Sequence, residues 1–585
     1  MASQVAADSR LQNLGYVPEL PRNRSTLQVV FMCFILASVP YGLSTTMSYT
    51  MAGGGAPNMV WGWILVSLIM LCVAASLAEI TSVYPTAGGV YYQTFALSPP
   101  WCRRVTAWVC GWSYVAGNIT ITLAVNFVTA AFLIESLNVF TDKDGVGITS
   151  DFGAWHQYVI FLAITLVTHI IPALGNRWLT ILETSAIFWT IGGLTALIVT
   201  ILVVADGGRR SAEWVFTGFE PNSGWPDGWS FCIGLLQAAY ALSATGMITS
   251  MCEEVHDPAT QVPKAIIGGV IANFFAGLAT LIPMAFVLPD TSMLANLASG
   301  QPVPTIIKTA TGNSVGAFLL LLPLLVLGII CGVSCVTAAS RCTWAFARDG
   351  AIPGSRWVKQ VNSKLDIPLN AMILGMVVEL LLGLIYFGST AAFNAFSGAG
   401  VIFLTLSYAC PVAVSLILRR RKDVTAGNFN LGALGTVCNV VCLAWTLLAI
   451  PLFCMPTFME VTVETMNYGS VVFFGFVVIS AVWYWVWGYK NYAGPPDVAE
   501  INTSMHTHSS SDLDVAAAHA ADVKVNHILE LALATLYPQR TPFSSQAFRR
   551  DQMSILPSSE DHRITTPSGA LLPPAYMPPI ATICP

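Results

Sequence analysis

A proline and a glycine interrupt the first long apolar stretch of the chain, ILASVPYGLSTTM (Ile35–Met47). A later apolar stretch, YALSATGMITS (Tyr240–Ser250), combines small and hydroxyl residues. A helix broken inside a bilayer leaves backbone N–H and C=O groups without partners, which costs several kcal/mol each unless protein, water or a ligand bonds them. The start of the next half-helix then suits a carboxylate, and free carbonyl groups suit an ammonium group. The alternative is a kink whose backbone groups are bonded by neighbouring hydroxyls.

The residues around these two interruptions are candidates for binding a small polar ligand. Together with Asn118 of another apolar stretch, they are Pro40, Tyr41, Gly42, Ser44, Tyr240, Ser243, Thr245 and Gly246. Asn118 and the hydroxyls of Ser243 and Thr245 could instead serve only to join helices. Tyr41, Tyr240 and Trp112 could also surround a quaternary ammonium group with aromatic rings.

Four carboxyl groups lie within apolar stretches, where ionisable residues are costly and often functional: Glu79, Glu135, Glu183 and Glu379. Glu183 lies about 9 Å inside its stretch at 1.5 Å per residue. It is the candidate for exchanging a proton, and the alternative is a hydrogen-bonded structural carboxyl. Glu379 could pair with a polar residue of a neighbouring helix.

Opposite charges follow two of the apolar stretches. Glu253 and Glu254 come directly after Tyr240–Ser250, and Arg341 and Arg348 follow a later stretch. Opposite charges in separate segments on one side of a membrane could form a gate. The alternative is that they are solvated ends of loops.

The composition requires a membrane around these residues. Of 585 residues, 55% are hydrophobic and 10% are charged, against roughly 25% charged in soluble domains. A membrane-spanning helix needs about 20 apolar residues, and the sequence predicts an all-α polytopic membrane protein with about twelve such spans. The predicted spans are 27–52, 59–82, 105–135, 155–173, 178–204, 229–250, 264–288, 315–340, 368–388, 393–418, 432–456 and 468–489.

Lys and Arg residues accumulate in alternate loops, which predicts that those loops are cytoplasmic. The loops predicted to lie outside carry Lys143, Arg209, Arg210 and Lys308. This arrangement places both termini in the cytoplasm, and residues 1–24 have no cleavable signal peptide pattern. Residues 1–26 and 490–585 are predicted to be cytoplasmic tails that flank the spanning domain 27–489. The second tail is expected to be mostly disordered, and either tail could meet trafficking or ubiquitination machinery.

Several function classes find no support in the sequence. It contains no GxxxxGK[ST] nucleotide-binding motif and no HExxH. GxSxG occurs once, as GNSVG (Gly312–Gly316), at the start of a long apolar stretch and not at the strand-to-helix turn that a nucleophilic serine needs. We therefore expect no enzyme, no cofactor, no metal site and no nucleic-acid partner.

Three motifs carry a family resemblance. EITSVYPTAGGVYYQ (Glu79–Gln93), EEVHDPATQVPKAI (Glu253–Ile266) and SRCTWAFARDGAIP (Ser340–Pro353) resemble the amino acid–polyamine–organocation superfamily. More narrowly, MVWGW (Met59–Trp63) and the long acidic motif resemble the fungal amino acid/choline transporter family, which includes γ-aminobutyrate and choline permeases. The resemblance covers about residues 20–490.

This resemblance implies an inverted five-helix repeat with broken first and sixth helices, two further helices, and alternating access. The family's broken segments fall on Pro40–Gly42 and on Ala241–Gly246, and Tyr240 falls where relatives often have an aromatic gate. Pro40 and Tyr41 depart from the Gly-small-Gly pattern of many relatives.

The implied function is secondary active transport of amino acids or related nitrogen compounds, with protons, through the plasma membrane. Choline, a polyamine or an alkaloid-like metabolite are alternative substrates. A nutrient sensor that does not transport is a further alternative.

Overall fold

The computed structural model describes residues 2–496 except 298, 420 and 463–465. The described residues form helices, and their β-type pairing is limited to three isolated bridges. The prediction of an all-α polytopic membrane protein is confirmed. The part of the predicted tail after Pro496 lies outside the described residues.

The predicted spans correspond to long helices with close to the predicted bounds. In chain order, the first to twelfth spans are Thr26–Ala37 with Val39–Thr45, Asn58–Gly62 with Trp63–Val83, Arg103–Leu137, Ala154–Gly175, Leu179–Val204, Asp227–Ser243 with Ala244–Glu254, Pro258–Phe286, Ser314–Arg348, Leu369–Gly383 with Leu384–Phe387, Thr390–Ile417, Ala433–Cys454, and Gly469–Trp483 with Tyr484–Gly488 and Tyr489–Asn491. Shorter helices are Ala2–Asn13, Ser48–Gly53, Gly89–Leu97, Asn176–Trp178, Ala212–Thr217, Thr291–Ala295, Pro302–Thr311, Ser355–Val358 and Arg421–Val424.

Eleven helical segments of the described chain are long and apolar enough to cross a membrane. One of them, Ala154–Val204, has 51 residues. Its length of about 75 Å at 1.5 Å per residue is more than twice the hydrocarbon thickness of a bilayer. The short 3₁₀ turn Asn176–Trp178 divides it into the fourth and fifth spans, and counting these separately gives the twelve predicted spans.

The first span is broken two residues earlier than the sequence predicts. Its first half ends at Ala37, Ser38 adopts a left-handed conformation (φ 41°, ψ 48°), and a new helix begins at Val39. Pro40 is therefore the second residue of the new helix, where a proline's missing N–H costs no helical hydrogen bond and its fixed φ is favourable. Pro40 thus starts the second half-helix, while Ser38 forms the break.

The sixth span changes from α-helix to 3₁₀-helix after Ser243, within the predicted interval Ala241–Gly246. The 3₁₀ part continues to Glu254, whereas such helices are usually short. The hydroxyls of Thr245, Thr249 and Ser250 donate to carbonyl groups three residues earlier, at distances of 2.8–2.9 Å. These side chains bond backbone carbonyls along the tighter helix.

The two breaks lie side by side. Thr26–Ala37 packs against Ala244–Glu254, and Val39–Thr45 packs against Asp227–Ser243. The first and sixth spans therefore run in opposite directions, as an inverted repeat requires; the repeat itself stays a prediction.

Two spans extend beyond their predicted bounds on the predicted cytoplasmic side. The seventh span begins at Pro258, where proline suits the first position of a helix. The eighth span continues through Arg341 to Arg348, because both arginines have carboxylate partners. The first residues also pack on this side, since Leu11, Leu14, Tyr16 and Leu20 are buried.

We predict that Gly53→Ala destabilises the fold by about 1–3 kcal/mol through overpacking. An added Cβ at Gly53 would lie 2.5 Å from the backbone nitrogen of Gly234 in the sixth span. The matched control is Gly228→Ala in the same span, where a Cβ meets nothing within 4 Å. Thermal unfolding in detergent should show a lower Tm for the first variant only; equal Tm values would contradict the close contact.

Candidate functional site

A small cavity lies where the two helix breaks face each other. Its volume is about 20 Å³, which is room for about one water molecule. Four of the nine candidate binding residues line it: Tyr41, Gly42, Tyr240 and Ser243. The remaining lining residues are Leu36, Ala37, Thr45, Ile121, Val125, Val128, Ala241, Ala244 and Cys331.

Tyr41 contributes its ring to the cavity, while its hydroxyl bonds the third span. The hydroxyl lies 2.6 Å from Thr129 Oγ1 and donates to the carbonyl of Val125 at 3.2 Å. The ring also meets Phe132 edge to face, with centroids 6.3 Å apart. The ring is therefore held in place, and an aromatic surface of this kind attracts an ammonium group.

Gly42 and Ser243 bring the two broken spans together at the cavity. A Cβ at Gly42 would lie 3.4 Å from the Cβ of Ala241, so glycine leaves the cavity open between the spans. The Ser243 hydroxyl donates to the carbonyl of Tyr240 at 2.8 Å. The carbonyl of Ser243 in turn accepts a hydrogen bond from Tyr408 of the tenth span at 3.1 Å.

The other candidate binding residues lie beside this cavity rather than on it. Pro40 lines a separate small cavity between the first, fifth and eighth spans. Ser44 donates to the carbonyl of Pro40 at 2.6 Å, and Thr245 donates within its own span. Asn118 donates to the carbonyl of Tyr114 at 2.8 Å.

Gly246 permits a close contact instead of touching the cavity. A Cβ there would lie 2.5 Å from the ring of Tyr408. Trp112 also lies elsewhere, packed between Trp108, Phe346 and Phe476.

Two tyrosines outside the predicted candidate residues, Tyr114 and Tyr408, bond the sixth span. Tyr408 reaches Ser243, and the Tyr114 hydroxyl donates to the carbonyls of Gly246 and Met247 at 3.4 and 3.3 Å. These contacts match the alternative in which neighbouring hydroxyls bond the backbone at the break. A sequence shows no signal for them, because the tyrosines lie in apolar spans distant in the chain.

A buried ion-pair network joins four spans on the predicted cytoplasmic side. Arg341 Nε lies 2.7 Å from Glu254 Oε1, and Arg24 Nε lies 3.3 Å from Glu254 Oε2. Arg24 Nη1 also lies 2.7 Å from Glu183 Oε2. Burial would lower the pKa of Arg24, but Glu183 and Glu254 outweigh burial and raise it. Arg24 therefore stays charged between the two carboxylates.

The remaining two gate candidates form a second buried pair. Arg348 holds Glu253 with two hydrogen bonds of 3.0 and 2.9 Å, and the Ala87 N–H donates to the same carboxylate at 3.0 Å. The Arg348 guanidinium also stacks on the ring of Tyr16, 4.0 Å from its centroid. All four gate candidates are thus paired with opposite charges rather than solvated.

The glycine pair of the first motif also meets the sixth span. Gly89 has a positive φ of 51°, and a Cβ there would lie 2.7 Å from Thr249 Oγ1. Only glycine combines this backbone conformation with so close an approach. The three sequence motifs therefore converge on one region.

Glu183 has a charged partner, Arg24, which the sequence alone does not indicate. Because Arg24 is beside it, this buried carboxylate has its charge balanced without a proton. Proton exchange at Glu183 stays a prediction. Another carboxyl of a spanning helix, Glu79, is paired with Arg421 at 2.5 Å.

These features define a polytopic α-helical membrane protein whose two broken spans enclose a small cavity beside a buried charge network. A family model for amino acid permeases matches residues 25–479. The chain belongs to the amino acid permease family, and the resemblance inferred from its motifs is confirmed.

Curated relatives match most of the chain. It is 31% identical over 487 residues to the choline transporter of Saccharomyces cerevisiae, covering 83% of each chain. It is 30% identical over 501 residues to the amino-acid permease BAT1 of Arabidopsis thaliana, covering 83% of this chain and 95% of the permease. It is 28% identical over 464 residues to the polyamine transporter TPO5 of Saccharomyces cerevisiae, covering 79% and 74% of the two chains.

We predict that Arg24→Gln lowers the free energy of unfolding by about 3–5 kcal/mol, because it leaves the buried carboxylates of Glu183 and Glu254 without this cation. The control is Asp8→Asn, which removes an ion pair with Arg22. The Asp8 side chain is 40% exposed, and the buried Arg22 guanidinium keeps its hydrogen bond to the carbonyl of Val255 at 2.8 Å, so the free energy of unfolding should fall by only about 1 kcal/mol. Denaturation by sodium dodecyl sulfate measures both changes. Equal losses would show that the Arg24 network contributes no more than a surface pair.

Asp349 gives a pH-dependent prediction. Burial raises its pKa from 3.8 to about 6, although Arg348 opposes the shift, and Tyr16 and Tyr91 donate to its carboxylate. The folded state thus binds this proton more tightly than the unfolded state. The contribution of Asp349 to the free energy of unfolding is therefore greatest at low pH. It falls as the pH rises from about 4 to about 6, by at most about 1.4 kcal/mol per pH unit.

Asp349→Asn removes this titration. The Tm of the variant relative to the wild type should therefore rise between pH 4 and pH 6 and stay constant above that range. Parallel Tm curves for the two proteins would contradict the raised pKa.

Proposed function

We propose that the protein is a secondary active permease that carries an amino acid or a related small nitrogen compound by alternating access. The observation that carries the proposal is the cavity between the facing breaks of the first and sixth spans. Family membership supports it, since the relatives are named as amino acid, choline and polyamine transporters.

The cavity's chemistry suits an amine. Its lining, as far as the chain is described, contains no Asp, Glu, Lys or Arg. A substrate's positive charge would therefore meet the aromatic rings of Tyr41 and Tyr240 and backbone carbonyls. These rings also favour a second candidate substrate class, quaternary ammonium compounds such as choline.

The structure corresponds to a closed state in this proposal. The cavity is too small for any of these substrates, so it must widen for binding. Opening toward the predicted cytoplasmic side would separate Glu253 from Arg348 and Glu254 from Arg341. The Ser243–Tyr408 contact would also have to loosen.

Several further features belong to the same proposal. Both termini face the cytoplasm, the membrane is the plasma membrane, protons drive uptake, and the tails contact trafficking or ubiquitination machinery. Proton exchange at Glu183 would require its ion pair with Arg24 to open during the cycle.

The direct test is radiolabelled uptake into transport-deficient cells, using amino acids, γ-aminobutyrate, polyamines and choline at two external pH values. We expect saturable uptake of at least one compound, greater at the lower pH. Properly inserted protein with no saturable uptake would favour a sensor that does not transport.

We predict that Gly42→Leu abolishes uptake, because the longer side chain fills the cavity beside Ala241. The control Gly42→Ala should keep most of the uptake, since its Cβ would lie 3.4 Å from the Cβ of Ala241 and 3.3 Å from the carbonyl oxygen of Ala37, which a small shift of the backbone relieves. Surface biotinylation checks that both variants reach the membrane. Full uptake by inserted Gly42→Leu would exclude this cavity as the binding site.

A further inference from the structure

A buried polar cluster of Asn126, His169 and Glu379 lies apart from the cavity and the ion-pair network. His169 Nε2 of the fourth span lies 3.7 Å from Glu379 Oε1 of the ninth span. Asn126 Nδ2 of the third span donates to Glu379 Oε2 at 3.3 Å. His169 and Glu379 are 5% and 1% exposed, so the cluster is within the helical bundle.

The hydrogen bonding of His169 fixes which nitrogen can take a proton. Nδ1 lies 2.8 Å from the carbonyl oxygen of Thr165. Because a carbonyl only accepts hydrogen bonds, Nδ1 carries the hydrogen. In the neutral ring, Nε2 therefore presents a lone pair to the carboxyl group of Glu379. A lone pair and a carboxylate repel each other unless a proton lies on one of them.

Charge balance leads to the same conclusion. Among carboxylates of the spanning helices, Glu79, Glu183, Glu253 and Glu254 each have an arginine within 2.9 Å. In the part of the chain that is described, His169 is the one basic group within 4 Å of Glu379. A buried carboxylate needs a cation or a proton. Here a proton on the carboxyl or on Nε2 supplies the balance.

The other elements packed on the ninth span add little charge. Cys335 of the eighth span lies close enough to Glu379 for the two groups to interact electrostatically, and Asn126 of the third span supplies its amide. The short helix Ser355–Val358 meets the beginning of the ninth span, where Asn370 donates to Trp357. Among the residues that the structure describes, His169 and Cys335 are thus the titratable groups placed against Glu379.

Two helices connect this cluster to the substrate cavity. Val125 lines the cavity, and the next residue is Asn126. Cys331 also lines the cavity, and a Cβ on its neighbour Gly332 would lie 2.6 Å from Asn126 Oδ1. A change in the width of the cavity therefore shifts residues that hold Glu379.

The cluster also adjoins the ion-pair network. Together with Ser340 and Thr343, His169 and Glu379 line a cavity of about 10 Å³, close to the smallest space that holds a water molecule. The Ser340 hydroxyl accepts a hydrogen bond from Arg341 at 3.0 Å. Opening of the network would thus admit water to the cluster.

We propose that His169 and Glu379 together bind one exchangeable proton, and that this pair, rather than the arginine-paired Glu183, is the proton site of the transport cycle. A hydronium ion gives its proton to Glu379 or to His169 Nε2 and leaves as water, so the total charge of the pair rises from −1 to 0. The proton returns to water when the network opens. The coupling part of this inference rests on the proposed function, whereas proton binding by the pair does not.

Infrared spectroscopy tests proton binding without transport. Purified full-length protein is measured over a pH series, and carboxylic acid and histidine ring bands report the pair. We expect Glu379→Gln to remove a pH-dependent carboxyl signal and to shift the histidine signal. The matched control Glu135→Gln, at the end of the third span, should leave the histidine signal unchanged. If the histidine and carboxyl signals of Glu379→Gln superimpose on those of the wild type, proton binding by this pair is refuted.

Proteoliposomes test the coupling, using the compound that gives the greatest uptake in the panel. We expect Glu379→Gln to keep exchange of labelled for unlabelled substrate and to lose accumulation driven by a proton gradient. His169→Gln should show the same loss, and the control Glu135→Gln should keep both exchange and gradient-driven accumulation. Gradient-driven accumulation that persists in both cluster variants would overturn the coupling role. No exchange by the wild type would refute the proposed function, while the infrared result would still decide proton binding.

Discussion

Charge buried in an apolar bundle must be neutralised, and the arrangement of the helix ends depends on this constraint. Arg24, between Glu183 and Glu254, joins the first, fifth and sixth spans, and Arg341 adds the eighth. Removing one partner from such a network leaves an uncompensated buried charge. The charges of the network therefore have two stable arrangements. They are either paired with each other inside the protein or separated and hydrated. A gate requires this kind of behaviour.

The same constraint explains why the three sequence motifs meet in one region of the structure. Glu253 bonds both Arg348 and the N–H of Ala87 in the glycine-containing turn, and Gly89 allows that turn to approach Thr249. Residues separated by more than 150 positions thus meet on the 3₁₀ part of the sixth span. The break of this span and the charged pairs of Glu253 and Glu254 lie on one continuous 3₁₀-helix, Ala244–Glu254, so a movement at the break would reach these pairs.

Much of the fold follows from apolar length, because a bilayer imposes a minimum length on each span. The spans were predicted with small errors, and the errors have local causes. Pro40 suggested the position of the first break, but proline is favourable at a helix start, so the break lies at Ser38. The charge of Arg348 suggested that this residue lies in a loop after the eighth span. Arg348 is instead the last residue of that helix, because Glu253 supplies the opposite charge. Pairing across distant helices is not encoded in any local pattern.

The position of the cavity is predictable from the sequence, and the composition of its lining is less so. Tyr41, Gly42, Tyr240 and Ser243 line the cavity because they lie beside the breaks. Thr245 and Gly246 turn away from it because a 3₁₀-helix rotates successive residues by a larger angle than an α-helix. The contacts of Tyr114, Tyr408, Arg24 and His169 depend on which helices are neighbours. That information lies in the packing of the bundle and not in the spacing of residues along one span.

The central claim is that substrate binds between the breaks of the first and sixth spans. The most direct measurement is a cryo-electron microscopy structure of the protein with a compound that it transports. The result expected is ligand density between Gly42 and Ser243, against the rings of Tyr41 and Tyr240, in a cavity larger than the present one. Ligand density elsewhere in the bundle, with this cavity unchanged, would contradict the claim.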